Sequence, residues 1–154
     1  MQLILLRHGE AEPYRQHDAT RQLTERGQAQ ADWMARHLLS RVRPTRLCVS
    51  PLIRAKQTLE PLRLALPDIP CTVLDVLKPD DDPQVAIEQL STYTDECVLV
   101  VCHMNIIASM AALMVDDDPE SFELAEARCF ETALILPSLA TERWRLLPPR
   151  QMDV

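Results

Sequence analysis

The chain has 154 residues, of which 47% are apolar and 25% are charged. This composition is typical of one soluble globular domain and excludes disordered, collagen-like and coiled-coil classes. Sixteen Lys and Arg against 23 Asp and Glu give a net charge of −7, so the chain as a whole lacks the positive charge that binds nucleic acid or anionic lipid. We therefore expect one domain over residues 1–154, with neither nucleic acid nor membrane as partner.

The N-terminus and the cysteines predict a cytoplasmic protein. The apolar run at residues 3–6 is too short for a signal peptide, and no basic residue precedes it. The longest apolar stretch, residues 106–115, is half the roughly 20 residues that a membrane span needs. Five cysteines are an odd number, and Cys97 and Cys102 lie inside apolar runs, as reduced and buried thiols do. Neither a CxxC spacing nor a Cys/His cluster indicates a metal site.

Apolar runs of strand length alternate with segments of helical periodicity, which predicts an α/β domain. The runs are apolar on both faces, as in a sheet that is covered on both sides. The predicted strands are residues 2–6, 46–50, 71–77, 97–102, 131–136 and 144–147. We expect a three-layer α/β/α sandwich with a mostly parallel central sheet.

Four helices are predicted between the strands. Thr24 is the predicted N-cap of the first helix, and Pro44 stops it. The helical patterns cover residues 25–42, 55–66, 83–93 and 104–115. Residues 116–130 are acidic and mixed, and we expect a loop with a short helix there. Gly9, one of only two glycines, directly follows the first strand, which indicates a backbone with special needs at that point.

Basic side chains stand at the ends of three predicted strands. Arg7 and His8 end the first strand, Arg54 follows the second at a helix start, and His103 ends the fourth. Ligands of open α/β sheets bind at the carboxyl ends of strands, so these four side chains converge if the strands are neighbours. Two guanidiniums with two imidazoles favour a phosphate group, because Arg binds phosphate bidentately and stays charged.

These residues belong to motifs that resemble the histidine phosphatase superfamily. The resemblance extends from residue 2 to about residue 110. Its motifs, in order, are Arg7-His8-Gly9, Leu23-Thr24-x-x-Gly27-x-x-Gln30-Ala31, Ser50-Pro51-x-x-Arg54-Ala55-x-Gln57-Thr58 and the late strand that ends in His103. The short chain is similar to the SixA-type branch, whose members dephosphorylate phosphohistidine in proteins. The resemblance implies a phosphoglycerate mutase-like fold.

The resemblance also implies a role for each residue. His8 is the expected nucleophile, with Nε2 free and Nδ1–H held by a backbone carbonyl near Gly9. Arg7 and Arg54 are expected to clamp the phosphoryl oxygens while His103 donates to a further oxygen, and water then hydrolyses the phosphohistidine. No metal or organic cofactor is expected, because the arginines supply the positive charge.

Two residues of the loop before Leu23 are further candidates. Arg21 is either an additional phosphate contact or a surface residue, and Asp18 is a candidate acid or base.

The segment after the third strand lacks a residue that larger family members have. Those members use a Glu there as general acid for ester cleavage, whereas residues 76–82 contain no Glu. An imidazole leaves more easily than an alkoxide, so this absence favours phosphohistidine as substrate. The run of three aspartates at 80–82 is either another source of the acid or a solvated loop.

The expected partner is a phosphohistidine-bearing protein, such as a phosphotransfer domain or phosphocarrier, met by a monomer. The alternatives are a small-molecule phosphomonoesterase of the same superfamily and a catalytically silent phosphate-binding module.

Cys48 and Arg54 match the Cys-x5-Arg spacing of cysteine-dependent phosphatases. With five Cys and 14 Arg in the chain, that spacing readily arises by chance. The segment contains no Gly to let backbone N–H groups wrap a phosphate. Cys48 lies inside a strand, so we expect a buried and inert thiol.

Overall fold

The computed structural model describes residues 1–14 and 17–152. Within these ranges the chain alternates strands with helices, and a short 3-10 turn at Asp18–Thr20 precedes the first helix. In chain order the elements are β1 (Gln2–Arg7), α1 (Glu25–Leu39), β2 (Arg46–Val49), α2 (Ile53–Ala65), β3 (Cys71–Val73), α3 (Pro83–Leu90), β4 (Cys97–Cys102), α4 (Ile106–Val115), β5 (Ala127–Glu131) and β6 (Thr141–Leu146).

The strands form one mixed sheet in the order β3-β2-β4-β1-β5-β6. The first four strands of that order run parallel to one another, whereas β5 pairs antiparallel with both β1 and β6. The expected mostly parallel sheet is confirmed. Because β4 lies between β1 and β2, the carboxyl ends of these three strands meet at one edge of the sheet.

Helices cover both faces of the sheet, as the strand pattern predicted. Leu3 and Leu5 of β1 pack on the face of α3 and α4, while Ile4 and Leu6 pack on the face of α1 and α2. All six residues of β4 are buried, and a fully buried Val or Leu contributes roughly 1.5–3 kcal/mol. The three-layer α/β/α prediction is therefore confirmed. In the described part of the chain, the helices are all too short or too polar to cross a bilayer.

Side-chain caps mark the starts of α1 and α3. The Thr24 hydroxyl accepts the Gly27 N–H (3.0 Å) at the start of α1, which confirms the predicted N-cap. Pro83 occupies the first turn of α3, and the Asp82 carboxylate caps it by accepting the Gln84 N–H (2.9 Å).

Two predicted features beyond β4 are wrong. The predicted strand at 131–136 lies instead at Ala127–Glu131, and 132–136 form a turn region. Residues 116–126 contain no helix, although one was expected within 116–130. The predicted strand is misplaced because Arg128, a charged residue in the middle of β5, is only 2% exposed. Its charge interrupts the apolar run, while the apolar run of 134–136 resembles a strand.

Several predicted boundaries also shift. β3 ends at Val73 instead of residue 77, and β6 begins at Thr141, ahead of the predicted start. α1 ends at Leu39, before the proline that was expected to stop it, and α4 begins at Ile106 instead of residue 104.

Candidate active site

The sheet brings the predicted residues together at the carboxyl ends of β1, β4 and β2. His8 N–H donates to the Cys102 carbonyl (3.1 Å), which ties the end of β1 to the end of β4. The His8 and His103 ring centroids lie 5.1 Å apart. A cleft of about 490 Å³ opens at this edge. The predicted residues that line it are Arg7, His8, Asp18, Arg21 and Arg54.

The His8 ring is held in one tautomer. Its Nδ1 lies 2.7 Å from the Gly9 carbonyl oxygen, and since a carbonyl only accepts, Nδ1 carries the proton. The expected contact near Gly9 is present. Nε2 is therefore the nitrogen with a free lone pair.

The surroundings of His8 keep the ring neutral. The pKa of His8 is lowered to about 4, chiefly by burial and also by the positive charges of Arg54 and Arg7, while the hydrogen bond to the Gly9 carbonyl opposes this shift. At pH 7 the free ring is therefore an unprotonated nucleophile.

We expect His8 to titrate well below an ordinary histidine. The charged form becomes the major one only as the pH falls through about 4, whereas an unperturbed histidine is half charged near 6.5. The measurement is an NMR titration of the Cε1–H signals, with the His8 signal assigned by its loss in His8→Ala. A midpoint near 6.5 for His8 would contradict this environment.

The loop that carries His8 is held by side chains of two helices. Gly9 N–H donates to the Thr58 hydroxyl (3.0 Å), and that hydroxyl donates to the Arg54 carbonyl (2.8 Å). Glu10 N–H donates to Gln30 Oε1 (2.8 Å). These bonds link the nucleophile's loop to both α2 and α1.

The two glycines meet where this loop crosses α1. A Cβ on Gly27 would lie 1.9 Å from the Glu10 carbonyl oxygen, and a Cβ on Gly9 would lie 2.7 Å from the Gly27 carbonyl oxygen. Neither has a positive φ. The special need expected at Gly9 is therefore close backbone approach.

Among the described residues, three guanidiniums face the cleft, and Asp18 pairs with two of them. Arg54 is 3% exposed and donates to the Asp18 carbonyl (2.9 Å) and to Asp18 Oδ2 (3.0 Å). Arg21 Nε lies 3.5 Å from Asp18 Oδ1. Arg7 donates instead to the Phe122 carbonyl (2.7 Å). The contacts of Asp18 are those of an ion-pair partner, and its acid/base role stays a prediction.

His103 is buried beside Ser50. Its Nε2 lies 2.6 Å from the Ser50 hydroxyl oxygen, which also accepts the Leu52 N–H (3.2 Å). Ser50 is fully buried, so its hydroxyl hydrogen needs an acceptor, and we assign it to Nε2. The ring proton then lies on Nδ1, which has no hydrogen-bond partner among the described residues.

The His103 ring is also neutral at pH 7. Burial, followed by His8, Arg54 and Arg7, lowers its pKa to about 2. The Nδ1–H of His103 is therefore an uncharged donor, which is buried and lies behind the residues that line the cleft.

Four carboxyl groups line the cleft, and all are at least partly exposed: Glu10, Glu12, Asp18 and Asp80. The other aspartates of the run at 80–82 are engaged elsewhere, Asp81 with Lys78 and Asp82 as a helix cap. Asp80 accepts from Asn105 Nδ2 (3.3 Å).

The Cys48 thiol is unsuited to nucleophilic attack. It is buried within β2, and burial raises its pKa to about 12, so it is a thiol at pH 7. The expected burial of Cys48 is confirmed, and its inertness stays a prediction. All five cysteines are unpaired. Within the described ranges, no three His, Cys, Asp or Glu side chains are grouped to hold a metal ion.

Sequence reasoning missed three participants. Ser50 and Thr58 belong to the motif at residues 50–58, but the sequence alone assigned no role to either. The spacing of four residues between Arg54 and Thr58 is the signal that they share a helix face. The Phe122 carbonyl carries no sequence signal, because any residue supplies a carbonyl and the contact spans 115 positions.

Comparisons with known proteins agree on one family. Residues 3–78 match the model of the histidine phosphatase superfamily (branch 1). The chain is 35% identical over 118 residues to the phosphohistidine phosphatase SixA of Escherichia coli, covering 73% of each protein. It is 29% identical over 124 residues to a SixA homolog of Haemophilus influenzae, covering 73% of this chain and 76% of that protein.

A similar solved structure supports the same relationship. The protein histidine phosphatase SixA complexed with tungstate superposes with a TM-score of 0.84 at 28% identity, over 96% of this chain and 97% of that one. The expected phosphoglycerate mutase-like α/β fold is therefore confirmed.

Proposed function

This chain belongs to the histidine phosphatase superfamily, and on that premise we propose that it removes phosphoryl groups from protein histidines through a phosphohistidine on His8. One observation carries the proposal. His8 is a neutral imidazole whose Nδ1 donates to the Gly9 carbonyl, which leaves Nε2 free in a cleft lined by Arg7, Arg21 and Arg54.

In the first step, His8 Nε2 attacks phosphorus and the N–P bond of the substrate breaks. The new bond draws electrons from the ring, and the Gly9 carbonyl stabilises the positive charge that develops on Nδ1–H. Arg7 and Arg54 bind the phosphoryl oxygens, and His103 Nδ1–H donates to another. The substrate imidazole carries a proton on its other ring nitrogen, so it departs with the bonding electron pair as a neutral imidazole and needs no proton from the enzyme.

In the second step, water attacks the phosphoryl group on His8 and releases inorganic phosphate. The His8 ring leaves as a neutral imidazole with its proton still on Nδ1, so the starting tautomer is restored. The same guanidiniums stabilise both transition states, because the charge on the phosphoryl oxygens develops in the same place.

The relatives named above support phosphohistidine as the substrate class, since both are phosphohistidine phosphatases by name. The bound tungstate in the similar structure is an oxyanion, the class of ligand that three guanidiniums accept. We propose a phosphotransfer domain or phosphocarrier as the partner, a single-domain monomer as the acting species, and the cytoplasm as its location. The five unpaired thiols support a reducing compartment.

The substrate class is tested by comparing leaving groups. We expect wild-type protein to release phosphate fastest from a histidine-phosphorylated carrier protein, more slowly from p-nitrophenyl phosphate, and slowest from phosphoserine. The order follows because the imidazole and the nitrophenolate leave more readily than an alkoxide, which needs a protonated acid. The measurement is kcat/KM for phosphate release from each substrate, for the wild-type protein and for the His8→Ala variant.

Asp80→Asn provides the matched control for a hidden acid. We expect this variant to leave phosphohistidine hydrolysis within about twofold of wild type, because Asp80 is exposed and an imidazole leaving group needs no acid. Phosphoserine cleavage that is as fast as phosphohistidine hydrolysis and lost in Asp80→Asn would overturn the substrate assignment. The chain would then be a small-molecule phosphomonoesterase. Tungstate binding with no turnover of any substrate would make it a silent phosphate-binding module.

A further inference from the structure

The mechanism leaves one buried ion pair unused. Arg128 and Glu126 are 2% and 3% exposed, and Arg128 Nε donates to Glu126 Oε2. A buried pair of this kind is weak evidence for stability, because its desolvation offsets its attraction. Its contacts indicate a different use.

All the donors of Arg128 turn toward the segment that precedes β5. Nη1 donates to the Glu120 carbonyl (3.1 Å) and Nη2 to the Ser121 carbonyl (2.7 Å). The guanidinium carbon lies 3.7 Å from the centre of the Phe122 ring. We name residues 120–126 the clamp segment. Arg128 contacts both ends of this segment, the Glu120 and Ser121 carbonyls at one end and the Glu126 carboxylate at the other.

The opposite side of the clamp segment holds Arg7 and His8. The Phe122 carbonyl accepts from Arg7 Nη1 (2.7 Å), and the Glu126 carbonyl accepts from Arg7 N–H (3.0 Å). Ala125 N–H donates to the His8 carbonyl (3.0 Å). Arg7 Nε is buried without a hydrogen-bond partner among the described residues, so Phe122 supplies the fixed contact of this guanidinium.

We propose that Arg128 is a positioning residue for phosphate binding, which holds the Phe122 carbonyl where it aims the Arg7 guanidinium at the cleft. The effect of Arg128 on turnover rests on the proposed function, whereas its effect on oxyanion binding does not. Arg128 touches no reacting atom. If its influence passes through the Arg7 guanidinium, as proposed, and not through the Ala125 contact with the His8 carbonyl, it cannot exceed the contribution of Arg7 itself.

The test is a double-mutant cycle of Arg128→Met and Arg7→Met. Its readouts are kcat and KM for the histidine-phosphorylated carrier protein and the Kd for tungstate. We expect Arg128→Met to lower kcat and weaken tungstate binding by about tenfold to a hundredfold, the range for a displaced binding group. In the Arg7→Met background, adding Arg128→Met should change both within about twofold. The matched control is Arg143→Met on neighbouring β6, which removes an exposed ion pair with Glu131 and should change neither kcat nor the tungstate Kd.

A purely structural role predicts a different pattern. Arg128→Met would then lower Tm. It would either change kcat and Kd by the same factor with Arg7 and with Arg7→Met, or leave both unchanged. Each of these two results would overturn the proposal. If Arg128→Met does not fold because Glu126 is left unpaired, Glu126→Gln/Arg128→Met removes both charges and enters the same cycle. Absence of phosphohistidine hydrolysis by wild type would overturn the proposed function, while the tungstate arm would still decide the role of Arg128.

Discussion

His8→Ala should lose hydrolysis of histidine-phosphorylated protein by on the order of 10⁴-fold or more, as expected when a covalent nucleophile is removed. Alanine has no atom that can accept the phosphoryl group. The three cleft arginines remain and still bind the oxyanion, so we expect tungstate affinity to fall far less than kcat. The measurement is single-turnover phosphate release together with tungstate binding.

His37→Ala is the matched control for His8→Ala. The His37 ring stacks on Trp33 of α1 with the ring centroids 3.8 Å apart, and it does not line the cleft. Its removal should leave kcat within about twofold of wild type. Cys48→Ser should also retain activity. Loss of activity in a folded Cys48→Ser protein, with activity retained in His8→Ala, would replace the histidine mechanism by a cysteine one.

Arg54→Met should reduce kcat/KM by about 10²–10³-fold, the usual cost of removing one preorganised donor from an oxyanion site. The variant loses a guanidinium that is buried at the cleft and joined to Asp18 by two hydrogen bonds. It also leaves the Asp18 carboxylate facing an anionic substrate, with Arg21 as its remaining ion-pair partner in the described part of the chain. The effect should therefore appear in both tungstate affinity and turnover.

Arg63→Met gives the control on the same helix. Arg63 pairs with Glu60 (2.6 Å), and both side chains are close to half exposed, so its loss should change kcat/KM by less than about twofold. Adding Asp18→Asn to Arg54→Met should recover part of the lost affinity, because the repulsive charge is removed. A loss below about fivefold in Arg54→Met would contradict the clamp role.

The sequence predicts best those strands that are buried on both faces and are therefore apolar at nearly every position. β4 is apolar over its whole length because both faces are covered, and β1 and β2 show the same pattern. The site follows from these strands, since their carboxyl ends present Arg7, His8, Arg54 and His103 at one edge.

The parts that could not be predicted depend on contacts between distant residues. The position of β5 could not be predicted because the buried charge of Arg128 is paired with Glu126 and hydrogen-bonded to two backbone carbonyls. The sequence pattern does not indicate these contacts. The contact of Arg7 with the Phe122 carbonyl has the same origin. Asp18 was noted as a candidate, but its pairing with Arg54 across 36 positions appears only when the loop is folded over the cleft.

That His8 Nε2 carries the phosphoryl group during turnover is the prediction on which the proposed mechanism depends. It is tested most directly by mixing the enzyme with histidine-phosphorylated carrier protein, quenching into alkali within a single turnover, and locating the phosphoryl group by mass spectrometry and ³¹P NMR. We predict a phosphoryl group on His8 at Nε2, because Nδ1 is bound to the Gly9 carbonyl. A phosphoryl group on another residue or at His8 Nδ1, or phosphate release without any phosphoenzyme, would contradict the account.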